Sequence, residues 1–212
     1  RGALRKGSRI TAATQLLTYS DMTIFENRGR RTLNEASTVE EFLGLRADLG
    51  AFALGSYFAE LLETVSAEEY PDPPVLQLGL NSLYALSRAL CPPEQIKAVF
   101  ELRLMCLAGY EPDLSCCARC GAPEPAEPWL SLRGGAVYCA QCRGASSSAV
   151  TPLLPETLAA MRHVVNADPK RIFSFTLGDA GRRQLARVCE EYTAMQLERG
   201  FASLDYWKKV KD

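Results

Sequence analysis

The chain has 212 residues, 47% hydrophobic and 23% charged, with a formal net charge of −1. That is the balance of an ordinary soluble domain long enough to bury a core. No apolar run reaches the roughly 18 residues of a membrane span and no signal peptide is recognisable, so neither a spanning helix nor export is expected. The near-neutral total hides an asymmetry. Residues 1–34 hold seven basic and two acidic residues, and residues 35–69 hold one basic and eight acidic. A basic leading segment fits a polyanion-binding surface; it equally fits a strand edge guarded by Lys and Arg.

The stretch up to residue 41 reads as β-structure. "TQLLTYSDMTIFEN" carries strand formers, "NRG" at Asn27–Gly29 is a turn signal, and "RRTLNEASTVEEF" returns as the second strand of a hairpin. Around Ser37 the reading stays double, since Ser37 with Glu40 also matches a helix capping box. From Leu43 to Ser66 the spacing predicts a helix, with Leu45, Leu49, Phe52, Ser56 and Ala59 on one stripe and Phe58, Leu61, Leu62 and Val65 extending the apolar side. "YPDPP" stops it. A second helix is predicted over Val75–Leu90 with Leu76, Leu80, Leu83 and Leu90 inward, and a third starts after Pro92 and Pro93, with Gly109 past its end. Helices joined by short Pro-rich loops pack as a bundle. "WLSLRGGAVYC" reads as a short hairpin and "RGASSSA" as a flexible exit. Two more helices follow, over Pro155–Ala167 and Asp179–Glu198, with Asp179 as the N-cap of the latter.

The cysteines carry the sharpest signal. Cys117, Cys120, Cys139 and Cys142 form C-x₂-C-x₁₈-C-x₂-C, the spacing of a tetrahedral zinc site in a reducing cytoplasm rather than of a disulfide framework. Cys116 competes with Cys117, but Cys117 gives the symmetric pair; Cys91, Cys106 and Cys189 fall in helices and read as buried thiols. Four thiolates around one Zn²⁺ leave no open position, so the ion is structural, not catalytic. The single histidine, His163, lies in a helix with no motif around it and reads as a packing residue. Nucleophile–His pairs, a phosphate-binding Gly loop and a deaminase signature are all missing from the sequence, so an enzyme is not expected.

Taken in order, "RGALRKGSRI", "LGLRADLGAFALGSYFAELLE", "FELRLMCLAGYEPDLSCCARCG", "LSLRGGAVYCAQC" and "FASLDYWKKV" resemble the RecO family of bacterial DNA repair proteins, over nearly the whole chain. The resemblance implies an α+β fold. Residues 1–41 would be the later part of an OB-fold, with further strands ahead of Arg1. Residues 42–112 and 144–212 would be the two parts of a helical domain, and 113–143 an inserted four-cysteine zinc module. It implies a recombination mediator of the bacterial cytoplasm, associated with the nucleoid. Such a protein binds single- and double-stranded DNA and anneals complementary strands. It also helps RecR load RecA onto strands coated with single-strand-binding protein, whose acidic, Phe-ended tail docks on the helical domain. On that reading Arg1, Arg5, Lys6 and Arg9 match the family's basic loop and Arg28, Arg30 and Arg31 extend it at the hairpin turn, with Tyr19 and Phe25 available to stack bases. The C-terminal basic residues Lys170, Arg171, Arg182, Arg183 and Arg187 fit an extension of that surface or an exposed helix face. The rival reading is a zinc-stabilised protein-interaction adaptor with little DNA binding of its own.

Overall fold

The computed structural model describes residues 9–67, 70–125, 127–146 and 148–211. Among the described residues a two-stranded ribbon leads into a helical body that carries a small three-stranded sheet. After a short helix α1 (Arg9–Ala13), strands β1 (Tyr19–Asn27) and β2 (Arg30–Glu40) pair antiparallel. Their turn places Arg28 at φ 51 and Gly29 at φ 72. Two left-handed residues in a two-residue loop match the twist of the flanking strands. Ser37 is a strand residue, which resolves the double reading there. Met22 lies opposite Ala36 and Ile24 opposite Leu33, so one face of the ribbon is apolar, yet Met22 and Ile24 are exposed.

The ribbon is fixed to the helices at its root. Arg46 donates to the Thr18 hydroxyl at 2.9 Å, Ser20 donates to the Ala13 carbonyl at 2.9 Å, and a Leu17 methyl lies 2.7 Å from where a Cβ on Gly55 would stand. The expected helix from Leu43 is two pieces, α2 (Leu43–Arg46) and α3 (Leu49–Val65), because Asp48 leaves the helix to cap α3 by accepting from the Ala51 amide. The buried face of α3 is Leu54, Tyr57, Phe58 and Leu61; Leu45 of the expected stripe is buried in α2 and Phe52 packs on the core, whereas Leu49 is exposed. The next helix, α4 (Pro73–Ser87), is capped by Asp72 and buries Val75, Leu78, Gly79, Ser82, Leu83, Ala85 and Leu86; of the leucines expected inward, Leu83 is buried and Leu80 packs on the core, whereas Leu76 and Leu90 are exposed. A Cβ on Gly79 would stand 2.8 Å from Leu62, and small residues on this face let α4 approach α3 closely.

Helix α5 (Pro93–Leu107) is the axis of the body. Every residue from Gln95 to Leu102 is buried, as are Leu104 and Met105. It ends as expected at Gly109, φ 88, with the Gly109 amide donating to Cys106 O and the Tyr110 amide to Met105 O, a Schellman closure. Around it pack α3, α4, α6 (Pro155–Asn166) and α7 (Asp179–Leu197), and α8 (Ala202–Val210) lies on α3. Asp179 is the first residue of α7, not its cap: it pairs with Arg182 at 2.7 Å while Gly178 occupies the capping position. Helix α8, not anticipated from sequence, buries Leu204 and Trp207, and Phe201 just before it meets Tyr57 edge-on at 5.6 Å.

A helix enclosed on all sides must pair its polar residues internally. Lys97, 1% exposed, lies 2.9 Å from Glu101, which is fully buried, and 2.9 Å from Glu190 of α7; it also donates to Ala186 O. The Tyr57 hydroxyl of α3 donates to Glu101 at 2.8 Å, and Lys208 of α8 pairs with Glu190. Burial opposes the charge of Lys97, but Glu101 and Glu190 outweigh it and raise its pKa. Complete burial pushes Glu101 up, against the pull of Lys97 and Tyr57. Burial would also raise Glu190, but Lys97 and Lys208 outweigh it and hold it low.

Removing one member of such a pair leaves a buried uncompensated charge. Lys97→Met is expected to cost about 3–5 kcal/mol in urea unfolding, and adding Glu101→Leu to recover most of that loss. Additive losses would show that the two residues do not act as a pair.

Candidate functional site

The segment between α5 and α6 holds the cysteine cluster on a minimal frame. Strands β3 (Trp129–Ser131) and β4 (Ala136–Tyr138) form the expected hairpin, and β5 (Val150–Pro152) adds a third strand on the other edge of β3. That third strand begins directly after the exit expected to be flexible, whose first residues, Arg143–Ala145, form a 3₁₀ turn. The first Cys turn is closed by the Gly121 amide donating to Cys117 O and the Cys117 amide donating to Ala122 O, both at 2.8 Å. Gly121 has φ 74, a reversal that a side chain would strain. The second Cys turn follows β4, with the Cys142 and Arg143 amides both donating to Cys139 O. The two turns meet through the Ala118 amide and Val137 O at 2.8 Å.

This brings the sulfurs of Cys117, Cys120, Cys139 and Cys142 within 4.8 Å of one another, with Cys120 and Cys139 Sγ 4.0 Å apart. Sulfurs about 2.3 Å from a tetrahedral ion stand about 3.8 Å apart, so the four donors fit one metal ion. All four are free thiols. Cys116, next in sequence, lies outside the group and is approached by the Ser115 hydroxyl. The four sulfurs perturb one another's ionisation. Burial works against the Cys117 thiolate, but amides of Cys120, Cys139 and Arg119 bring its pKa to about 6. Cys142, hydrogen-bonded to Cys139 and crowded by the other sulfurs, is pushed up to about 12. Four sulfurs this close cannot all carry charge without a positive ion between them.

The basic residues are only partly brought together. Arg1, Arg5 and Lys6 lie outside the described residues, and Arg9 is a backbone position in α1. Arg28, Arg30 and Arg31 are exposed at the ribbon tip, Arg31 at 3.1 Å from Glu26. Alternation puts Phe25, 61% exposed, on the same face as Arg30. Tyr19 is half-buried against the helical core and is not available for stacking. Arg182 and Arg187 pair within their own helix, with Asp179 and Glu191, as an exposed helix face does. Lys170 and Arg171 are exposed in the segment after α6.

Sequence reasoning missed an apolar cleft of about 300 Å³ between α4, α5 and the segment after α6, lined by Pro74, Leu78, Leu107, Ile172 and Arg103 among others. Arg103 donates to the last carbonyls of α6, Val164 O and Val165 O. The far wall is held by His163, whose Nε2 lies 3.0 Å from Arg171 O and whose ring meets Phe175 edge-on, and by Gln95 donating to Phe175 O at 2.9 Å. No described helix is long and apolar enough to cross a membrane.

Residues 46–205 match the protein family described as Recombination protein O C terminal. The chain is 31% identical over 210 residues to the DNA repair protein RecO of Acetivibrio thermocellus, covering 99% of this chain and 83% of that protein. It is 28% identical over 211 residues to the RecO of Alkaliphilus metalliredigens, with 99% and 85% covered. It is 31% identical over 197 residues to that of Heliobacterium modesticaldum, with 90% and 70% covered.

Strands of three residues do not hold a sheet by themselves. Chelation of the metal, or Cys120→Ser, is therefore expected to unfold the cysteine module while leaving most helical signal. Circular dichroism with limited proteolysis between α5 and α6 reads this; a chelated chain whose module stays protease-resistant would refute it.

Proposed function

The chain belongs to the RecO family of DNA repair proteins, and from that premise we propose that it is a non-enzymatic recombination mediator. It binds single- and double-stranded DNA, anneals complementary strands, and helps RecR load RecA onto strands coated with single-strand-binding protein. The family is one of repair mediators rather than catalysts. The observation that supports the DNA-binding reading is the ribbon tip, where Arg28 and Arg30 are exposed and the exposed ring of Phe25 shares a strand face with Arg30. A cationic edge with an aromatic face is how single strands are held without regard to sequence. On this reading residues 1–41 belong to an OB-fold and Arg1, Arg5, Lys6 and Arg9 continue the basic track. Residues 42–112 and 144–212 form the helical domain, and 113–143 are a module held by one structural Zn²⁺ on Cys117, Cys120, Cys139 and Cys142. When bound, the ion supplies cross-linking, not chemistry; the residues themselves supply four thiolates and the amides that stabilise them. The protein works on chromosomal DNA in the bacterial nucleoid.

The apolar cleft is the place for the tail of single-strand-binding protein. Leu78, Leu107 and Ile172 suit an aromatic side chain, and Arg103 at the wall suits a carboxylate. The same cleft is what supports the rival reading, an adaptor that docks partners and binds DNA weakly.

Fluorescence anisotropy with single-stranded DNA at several salt concentrations separates the two. The logarithm of affinity is expected to fall with the logarithm of salt by about 0.7 per contacted phosphate. Arg28→Glu with Arg30→Glu should weaken binding to all sequences alike and flatten that slope. Annealing of complementary strands without ATP should weaken in parallel. Wild-type affinity that ignores salt, or a double variant that binds as wild type, would move the reading to the adaptor. Gln77→Glu, in the cleft lining, should weaken an acidic Phe-ended peptide and leave DNA binding unchanged; equal peptide affinity would place the tail elsewhere.

A further inference from the structure

Arg162 lies on α6, outside the cysteine module, with its side chain only 22% exposed. Its guanidinium makes four contacts, all to the first Cys turn. Nε donates to Leu114 O at 2.7 Å, Nη2 donates to Ser115 O at 3.1 Å and to Pro123 O at 2.7 Å, and Nη1 meets Glu124 Oε1 at 2.9 Å. Leu114 and Ser115 precede the turn that carries Cys117 and Cys120; Pro123 and Glu124 follow it. One planar fork therefore grips both ends of the loop. Three of its bonds go to main-chain carbonyls and so fix the path of the backbone itself. The fourth reaches a carboxylate that is 85% exposed and contributes little. Inside the grip the loop is closed again by the amides of Cys117 and Gly121, and at its entrance Asp113 accepts from the amide and hydroxyl of Ser115.

We infer that Arg162 is a positioning residue for the metal centre. It closes the first Cys turn in advance, so that the Cys117 and Cys120 sulfurs stand at their coordinating separation before an ion arrives, and it fastens that half of the site to α6. Preorganised ligands hold a metal more tightly than ligands that must be ordered on binding. The second Cys turn needs no such grip. It continues directly from β4 and is backed by the Arg143 guanidinium stacked 4.3 Å over the Trp129 ring. Lysine cannot replace Arg162, because a point charge on a flexible stem does not span two loop ends. The inference rests on the four-thiolate reading of the cluster.

The test uses the full chain purified with its metal. Metal content is measured first, and zinc release to a chromogenic chelator is then timed for wild type, Arg162→Met, Arg162→Lys and Glu124→Gln, with helical circular dichroism recorded for each. Arg162→Met is expected to release zinc about tenfold faster or more, Arg162→Lys to lie between it and wild type, and Glu124→Gln to stay within about twofold of wild type. A folded Arg162→Met that releases zinc at the wild-type rate overturns the inference. If Arg162→Met does not fold, Arg162→Lys decides by the same comparison: faster release supports the role and an unchanged rate removes it. A wild-type chain that holds no metal, and when reduced takes up neither Zn²⁺ nor Co²⁺, overturns the four-thiolate reading and this inference with it. One ion per chain with unchanged release overturns the role of Arg162 alone.

Discussion

The charged pair inside α5 is the constraint around which the helical body is arranged. Each buried ion costs several kcal/mol to desolvate unless its partners meet it with good geometry. Lys97 and Glu101 sit one helical turn apart on a helix with no solvent-facing side over most of its length. Their partners must come from the neighbours: Tyr57 from α3, Glu190 and the Ala186 carbonyl from α7, and through Glu190 the ammonium of Lys208 on α8. Apolar packing alone tolerates helices rotated by a fraction of a turn. Hydrogen bonds to buried charge do not, so the rotational setting of three helices follows from two residues of a fourth. The remaining polar side chains of α5 work in the same way at its edges, Gln95 and Arg103 fastening the main chain on either side of the cleft.

The cysteine module is held by different means. Its own buried apolar side chains are few, Leu114, Leu130 and Val137 among them, and its strands are three residues long. It borrows rigidity from the helices through side chains that reach its main chain: Gln196 of α7 donates to Leu132 O, Tyr192 donates to Tyr110 O at the module's root, and Arg162 grips the first Cys turn. The helical body thus provides the scaffold and the four thiols provide the cross-link. Helix α6 faces both duties, since Arg162 serves the module while the adjacent His163 braces the segment that walls the cleft.

What could be seen in the sequence was whatever depends on local backbone chemistry. The Cys spacing, the Asn-Arg-Gly turn, the Pro-initiated helices and the Gly109 closure each need particular residue types at fixed offsets, and each is where the spacing puts it. The choice of Cys117 over Cys116 also followed from spacing, and the sulfur cluster contains Cys117. What could not be seen depended on neighbours. The inward face of α4 mixes Val75, Leu78, Leu83 and Leu86 with the small residues Gly79, Ser82 and Ala85; of the leucines expected inward, Leu83 is buried and Leu80 packs on the core, while Leu76 and Leu90, the latter past the helix end, are exposed. Residues 201–210 make a segment of under three helical turns, too short for its spacing to stand out, and α8 is held where Leu204 and Trp207 are buried and the helix packs on α3. Nothing in the local sequence sets Lys97, Arg103 or Arg162 apart from other charged residues on a helix. Only tertiary structure shows that they are committed to buried partners and carbonyls.

At the ribbon tip Arg28 occupies a backbone conformation that glycine adopts freely and other residues adopt at a cost of roughly 1–2 kcal/mol. The turn therefore sets conformational ease against charge at a single position. Glycine there would relax the hairpin and blunt its positive end; arginine keeps the cation outermost and leaves the loop strained. Stability and electrostatic reach are traded at one φ angle, and the chain has settled it in favour of reach.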